Sequence, residues 1–167
     1  MFSSSHVAEI GSLTERATKE HALNVESEPL ILLPQVDSKS NYLDGFWRWV
    51  ALLADDDYRR ALHAIRWARG TTWTPEALKH RITTFFGGSA PWSVVIPNDR
   101  LRGVINDGAT YQPPNSEGWG WFMAQIPLTT EPADPKNDEI PLMGLAASFF
   151  IRQHGESYVM EFEIFHV

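Results

Sequence analysis

Two apolar alternations near the end of the chain, separated by one turn signal, constrain the fold more than any other feature of the sequence. Between Leu142 and Val167 the first run puts Leu145, Ala147, Phe149 and Ile151 on one side. The second does the same with Tyr158, Met160, Phe162 and Ile164, each run keeping the period of two that a strand requires. A tip at His154-Gly155 sets Gln153 opposite Glu156 and pairs Ile151 with Tyr158, Phe149 with Met160, Ala147 with Phe162 and Leu145 with Ile164, all on one face. A three-residue loop would instead bring Phe150 against Tyr158 and break the match. The tail is therefore expected to be a β-hairpin with one buried face, leaving Phe150, Val159 and Phe165 outside and His166 on the side of Phe162 and Ile164.

The cover for that face comes earlier in the chain. Asn41 to Ala54, capped by Ser40 or Asn41 and carrying Asp44 in its first turn, reads as a helix with a very broad apolar sector, from Tyr42 and Phe46 to Trp49, Val50 and Leu53. Asp57 caps a second helix, Tyr58 to about Ala68, and Gly70 follows as a terminator. Thr74-Pro75-Glu76 opens a third, with Leu78, Ile82, Phe85 and Phe86 on one face and Gly87-Gly88 at its end.

From Pro91 the period changes to two. Trp92 to Ile96 and Leu101 to Ile105 read as strands around a Pro97-Asn98-Asp99 turn, and Asn106-Asp107-Gly108 as a second turn that folds back Ala109 to Gln112. Gly118 to Leu128 is apolar on both faces and is expected in the middle of a sheet, while Thr129 to Pro141, rich in proline and acids, reads as a loop. Helices followed by successive strands imply an α+β domain, residues 39–167, with a mainly antiparallel sheet. Residues 1–38 form an N-terminal extension holding a weak helix over Glu9 to Leu23 and an apolar run, Leu30-Ile31-Leu32-Leu33, that packs on the domain or docks on a partner.

A chain of 167 residues without cysteine can bury a core without staples, and it has no thiol nucleophile, thiolate metal site or disulfide framework. The net charge of −7, with Lys and Arg scattered, disfavours nucleic acid, whose affinity rests on clustered cations. No apolar run approaches membrane-spanning length and the amino terminus lacks a signal pattern, so a soluble, cytoplasmic protein without a membrane partner is expected.

The block Tyr42-Leu43-Asp44-Gly45-Phe46-Trp47-Arg48-Trp49-Val50-Ala51-Leu52-Leu53-Ala54-Asp55-Asp56-Asp57-Tyr58 resembles the opening helices of the nuclear transport factor 2-like, or cystatin-like, α+β superfamily. Glu161-Phe162-Glu163-Ile164-Phe165-His166-Val167 is similar to the last strand of small bacterial proteins of that group. The resemblance implies helices on the concave face of a strongly curved sheet, a cone with an open mouth, and dimerisation through the outer sheet face, for which Phe150, Val159 and Phe165 are placed. The superfamily commonly has a strand between its early helices, for which only Thr71-Thr72-Trp73 is available here. No catalytic residue of the family's steroid isomerases can be matched.

Chemistry is sparse. No phosphate loop, nucleophile elbow, His-Glu-x-x-His helix or dinucleotide fingerprint occurs, and no cofactor or metal is implied. Asp55-Asp56-Asp57 lacks the spaced ligands of a calcium loop. Glu161 and Glu163 share one strand face about 7 Å apart; this is usually a solvated face and sometimes an acid/base pair or a cation site. His63 and His80 sit on separate helices, His80 on a polar, solvated side, and His154 stands at the hairpin tip, where a polar residue beside Gly needs no function. His166 is either a hydrogen-bonded structural residue or a base facing a pocket. The leading expectation is a non-catalytic binding or protein-interaction module with an aromatic-lined interior. It would hold a small apolar ligand among Trp92, Trp119, Trp121 and Phe149, or a protein partner, including a second copy as a homodimer. One alternative is a small acid-base enzyme, an isomerase or hydrolase using His166 with Asp107 or Tyr111; another is an immunity-type protein whose acidic surface covers a basic toxin.

Overall fold

A computed structural model describes residues 30–36, 38–88, 90–130 and 143–166; the helix expected over Glu9 to Leu23 and most of the acidic loop lie outside these residues. Within them the chain runs β1 (Leu33–Pro34), α1 (Lys39–Ala54), α2 (Tyr58–Ala64), β2 (Arg66–Trp67), α3 (Pro75–Thr83), β3 (Ser93–Val94), α4 (Asp99–Gly108), β4 (Thr110–Gln112), β5 (Trp119–Thr129), β6 (Met143–His154) and β7 (Ser157–His166). The strand order is β1-β7-β6-β5-β3, with β2 also on β7 and β4 also on β5. As the α+β reading requires, the helices lie on the concave face of a curved, open, mainly antiparallel sheet.

The core forms where α1 crosses the two central strands. Phe46 and Trp49 stand over Phe149 with ring centroids 6.3 and 5.4 Å away, and Phe46 meets Phe122 at 5.8 Å. All four rings are fully buried, and burial of one such side chain contributes about 1.5–3 kcal/mol. The indole nitrogen of Trp49 donates to the Ala61 carbonyl at 3.0 Å, which removes the penalty of a buried unpaired donor. β1 seals the other flank: Ile31 and Leu33 are buried, and Leu33 lies so close to Gly45 that a Cβ there would collide with its side chain. The described part of the N-terminal apolar run therefore packs on its own domain.

Several expected elements change length or type. α1 begins at Lys39 because Ser38, rather than Ser40 or Asn41, caps it, its Oγ accepting from the Ser40 amide at 3.2 Å. α2 stops at Ala64 instead of Ala68: Ile65 takes an extended backbone, and Arg66 and Trp67 pair in parallel with Glu161 and Phe162 of β7. The free edge of β7 outweighs one more turn of helix. A two-residue strand thus lies between α2 and α3, while Thr71-Thr72-Trp73, the segment available for one in the sequence, is coil. α3 opens as expected, Thr74 Oγ1 accepting from the Ala77 amide at 3.1 Å, and buries Leu78 and Ile82.

The strand expected over Leu101 to Ile105 is instead helix α4. Asn98 Oδ1 accepts from the Leu101 amide at 3.0 Å, so Pro97-Asn98-Asp99 is a helix start. Asn106-Asp107-Gly108 is its last turn, the Ala109 amide donating to the Ile105 carbonyl at 3.0 Å. Apolar residues at 101, 104 and 105 fit a helical face as well as a strand, and five residues are too few for periodicity to decide. The strand expected over Trp92 to Ile96 contracts to Ser93 and Val94, paired with β5.

β6 and β7 form the expected hairpin, with Phe149, Met160 and Phe162 inside, but the register differs. The loop is Gly155-Glu156, His154 faces Ser157, and the inward pairs are Ile151 with Met160 and Phe149 with Phe162. Gly155 has φ 60° and stands first in the loop, the position where a two-residue turn of the II′ kind needs glycine; a His154-Gly155 tip would put it second. Beyond Phe162 the pairing jumps to Ser148 with Ile164, leaving Glu163 without a partner as a β-bulge. The faces exchange there. Phe165, expected outside, is 6% exposed and faces Ala147 in the core; Ile164, expected inside, is 49% exposed. His166 moves to the outer face with Ile164.

Candidate functional site

The bulge and β2 together build a cleft at the edge of the sheet. Because Glu163 is extra, Phe162 and Phe165 both point inward, three residues apart, with centroids 4.6 Å apart. Trp67, at the end of β2, lies 4.9 Å from Phe162 and 5.4 Å from Trp73, the residue before the Thr74 cap. Trp73 stands edge-on to Phe162 at 6.3 Å. These four rings wall a cleft of about 180 Å³, with Arg81 and Glu163 at its rim.

Two of its polar groups are held by partners outside the cleft. Trp67 Nε1 donates to the Leu62 carbonyl at 2.7 Å. Glu163 Oε2 accepts from Trp121 Nε1 at 3.0 Å on the outer sheet face. Arg81 lies 5.0 Å over the Phe85 ring and is exposed, with no ion pair among the described residues. The cleft thus offers stacked aromatic surface with the Arg81 guanidinium at its rim.

The sequence-derived candidates do not meet. His166 Nε2 is 2.8 Å from Ser148 Oγ on the outer face, and Ser148 has no exposed surface, so the pair cannot present a nucleophile to a substrate. Tyr111 lies opposite the inward-facing Phe122, 5.8 Å from the Tyr42 ring, on the other face of the sheet from His166. Asp107 lies in the last turn of α4, its carbonyl accepting from Lys39 Nζ at 3.3 Å.

The four ring positions are also dispersed. Phe149 is in the core. Trp119 stands edge-on to Phe150 at 6.2 Å on the outer face, near Trp121. Trp92 packs on Phe86 at 5.6 Å and donates to the Gly87 carbonyl at 3.1 Å. Glu161 and Glu163 take separate partners, Arg152 at 3.5 Å and Trp121. Of the residues placed for an outer-face contact, Phe150 is half-buried, Val159 is fully buried and Phe165 is inside.

A second depression, of about 250 Å³, lies at the junction of α2 and α3. Lys79 Nζ approaches both Asp56 oxygens at 2.7 Å and the Tyr58 ring at 5.6 Å. Burial, with the Asp56 charge adding to it, pushes the Tyr58 phenol up to about 12. This cluster fastens α2 to α3 and presents no converging acid and base. Among the described residues no group of three or more His, Asp or Glu is placed to hold a metal, and no helix is long and apolar enough to cross a membrane.

The cleft residues escaped sequence reasoning for two reasons. Period two sends Phe165 outward, and continuing α2 to Ala68 hides Trp67 in a helix. The available signal was the aromatic density of Trp67, Trp73, Phe162 and Phe165 around two segments of broken periodicity. In comparisons with protein-family models, curated proteins and solved structures, nothing matches this chain.

Proposed function

We propose that this chain is a non-catalytic binding module of the nuclear transport factor 2-like, cone-shaped α+β type, holding an apolar group of its ligand in the Trp67, Trp73, Phe162 and Phe165 cleft. The observation that carries the reading is the convergence of four rings from three separate segments on a space of about 180 Å³. A cavity of about 150 Å³ lined by apolar side chains is enough to take benzene, so the cleft suits one aromatic ring or branched aliphatic group. Each aromatic contact adds about 0.5–1.5 kcal/mol beyond area burial. The superfamily part of the reading is supported by helices that precede an open, curved sheet. The enzyme alternative loses its support, since His166, Asp107 and Tyr111 stand apart.

The test is titration of the full chain with naphthalene-2-carboxylate and neutral naphthalene-2-methanol, followed by tryptophan fluorescence and by indole N–H shifts. Saturable changes at Trp67 and Trp73, lost in Trp73→Leu, are expected. Unchanged signals at both indoles up to the solubility of the probes would refute the reading.

A second reading, self-association across the outer sheet face, rests on Ile164, 49% exposed, beside the half-buried rings of Trp119, Trp121 and Phe150. Light scattering behind size exclusion decides it: a single monomer mass at micromolar concentration excludes a dimer of useful stability.

A further inference from the structure

The edge of β7 is covered in two short pieces. β1 pairs with Ser157 and Tyr158, and β2 pairs with Glu161 and Phe162. From Glu163 to His166, among the described residues, no strand lies on the side of β7 away from β6. An unpaired run of this kind presents N–H and C=O groups as a template for another chain. Proteins guard such runs with lysine, proline or a bulge; Glu163-Ile164-Phe165-His166 has no lysine or proline and carries its bulge at its first residue. Its one acid is drawn off to Trp121 on the outer face.

The lane beside this edge is opened by the protein's own chain. β2 occupies it through Trp67 and then turns away: Thr71 folds back on the Ala68 carbonyl, with Oγ1 at 2.7 Å and the amide at 3.2 Å, and Gly70 takes φ 86°. The aromatic cleft lies in the vacated lane, with Ala68 and Thr71 on one bank and Glu163 to Phe165 on the other. Among the described residues an apolar pocket therefore borders an open strand edge. That is the arrangement in which an added strand gains affinity from its backbone and specificity from a side chain.

We infer that the ligand is an extended segment of a partner protein that adds as a strand to β7 along Glu163–His166 and inserts one bulky apolar side chain among Trp67, Trp73 and Phe165. The inference rests on the binding-module reading and specifies its partner. Arg81, at the rim and without an ion pair among the described residues, selects the flank: side chains two apart on a strand share a side, so an Asp or Glu two positions from the apolar anchor reaches toward the guanidinium.

Selection of linear dodecapeptides from a phage-displayed random library on the full chain tests this, followed by calorimetry of synthetic peptides. Enriched sequences are expected to share an aromatic or branched aliphatic residue with an acid two positions away. N-methylation should weaken binding about tenfold or more at alternate backbone positions, the effect of losing one interchain hydrogen bond and stranding its partner. Trp73→Leu should weaken every peptide, with its urea midpoint measured as a folding control, and Arg81→Gln should weaken only those carrying the acid. Peptides indifferent to N-methylation at every position would overturn strand addition. So would an absence of enriched peptides while naphthalene-2-carboxylate still binds, an outcome that leaves the cleft reading standing. Failure of both peptides and naphthalene probes removes both.

Discussion

The exchange of faces at Glu163 makes a prediction that straight-strand logic reverses. Phe165 is 6% exposed and packs on Phe162 at 4.6 Å and Phe85 at 6.4 Å, whereas Ile164 is 49% exposed. Truncation of a buried Phe to Ala costs about 3–5 kcal/mol, the sum of lost transfer and a residual cavity. Phe165 borders an open cleft into which water can follow, which relieves the cavity part, so about 3 kcal/mol is expected for Phe165→Ala. A fully buried Ile side chain contributes about 1.5–3 kcal/mol; with half its surface in water, Ile164→Ala should cost about 1 kcal/mol. Urea unfolding followed by tryptophan fluorescence resolves the difference. At a slope of about 2 kcal/mol/M, Phe165→Ala lowers the midpoint by about 1.5 M and Ile164→Ala by about 0.5 M. A larger loss from Ile164→Ala than from Phe165→Ala, with unchanged slopes, would refute the bulge and restore the uninterrupted alternation.

One substitution at two glycines should act with opposite sign. In Gly103→Ala the new methyl meets nothing within 4 Å inside α4, so the chain should gain about 1 kcal/mol from helix propensity; a loss would reinstate a strand there. In Gly120→Ala the methyl lies 2.5 Å from the Gln112 carbonyl and 2.7 Å from the Pro114 nitrogen. This backbone contact cannot yield cheaply, and about 1–3 kcal/mol should be lost, with Gly120→Ala as stable as the parent being the adverse result. The Tyr58 phenol sits at about 12 in the fold against 10.0 for the free group. The neutral form is favoured when folded, so its contribution is intact below pH 10 and fades as pH rises to 12, by about 2–3 kcal/mol. Tyr58→Phe should remove that part of the alkaline loss, and parallel stability curves for the two proteins between pH 10 and 12 would contradict it.

Elements whose signals are local and redundant were legible in the chain alone. Thr74-Pro75-Glu76 could only start a helix; the broad apolar sector of α1 required cover on several sides; two long alternations in β6 and β7 could meet only as a hairpin. Short segments were not decided in this way, because two or three residues satisfy both periods. Arg66 and Trp67 became a strand because β7 offered them backbone partners, and Leu101 to Ile105 became a helix because Asn98 capped it. The bulge at Glu163 is the clearest case. Alternation favours Ile164 inside, and only the aromatic surroundings of Trp67, Trp73 and Phe85, gathered from distant segments, make Phe165 the better residue to bury. The same choice opened the cleft, whose walls share no spacing along the chain that local reading could detect.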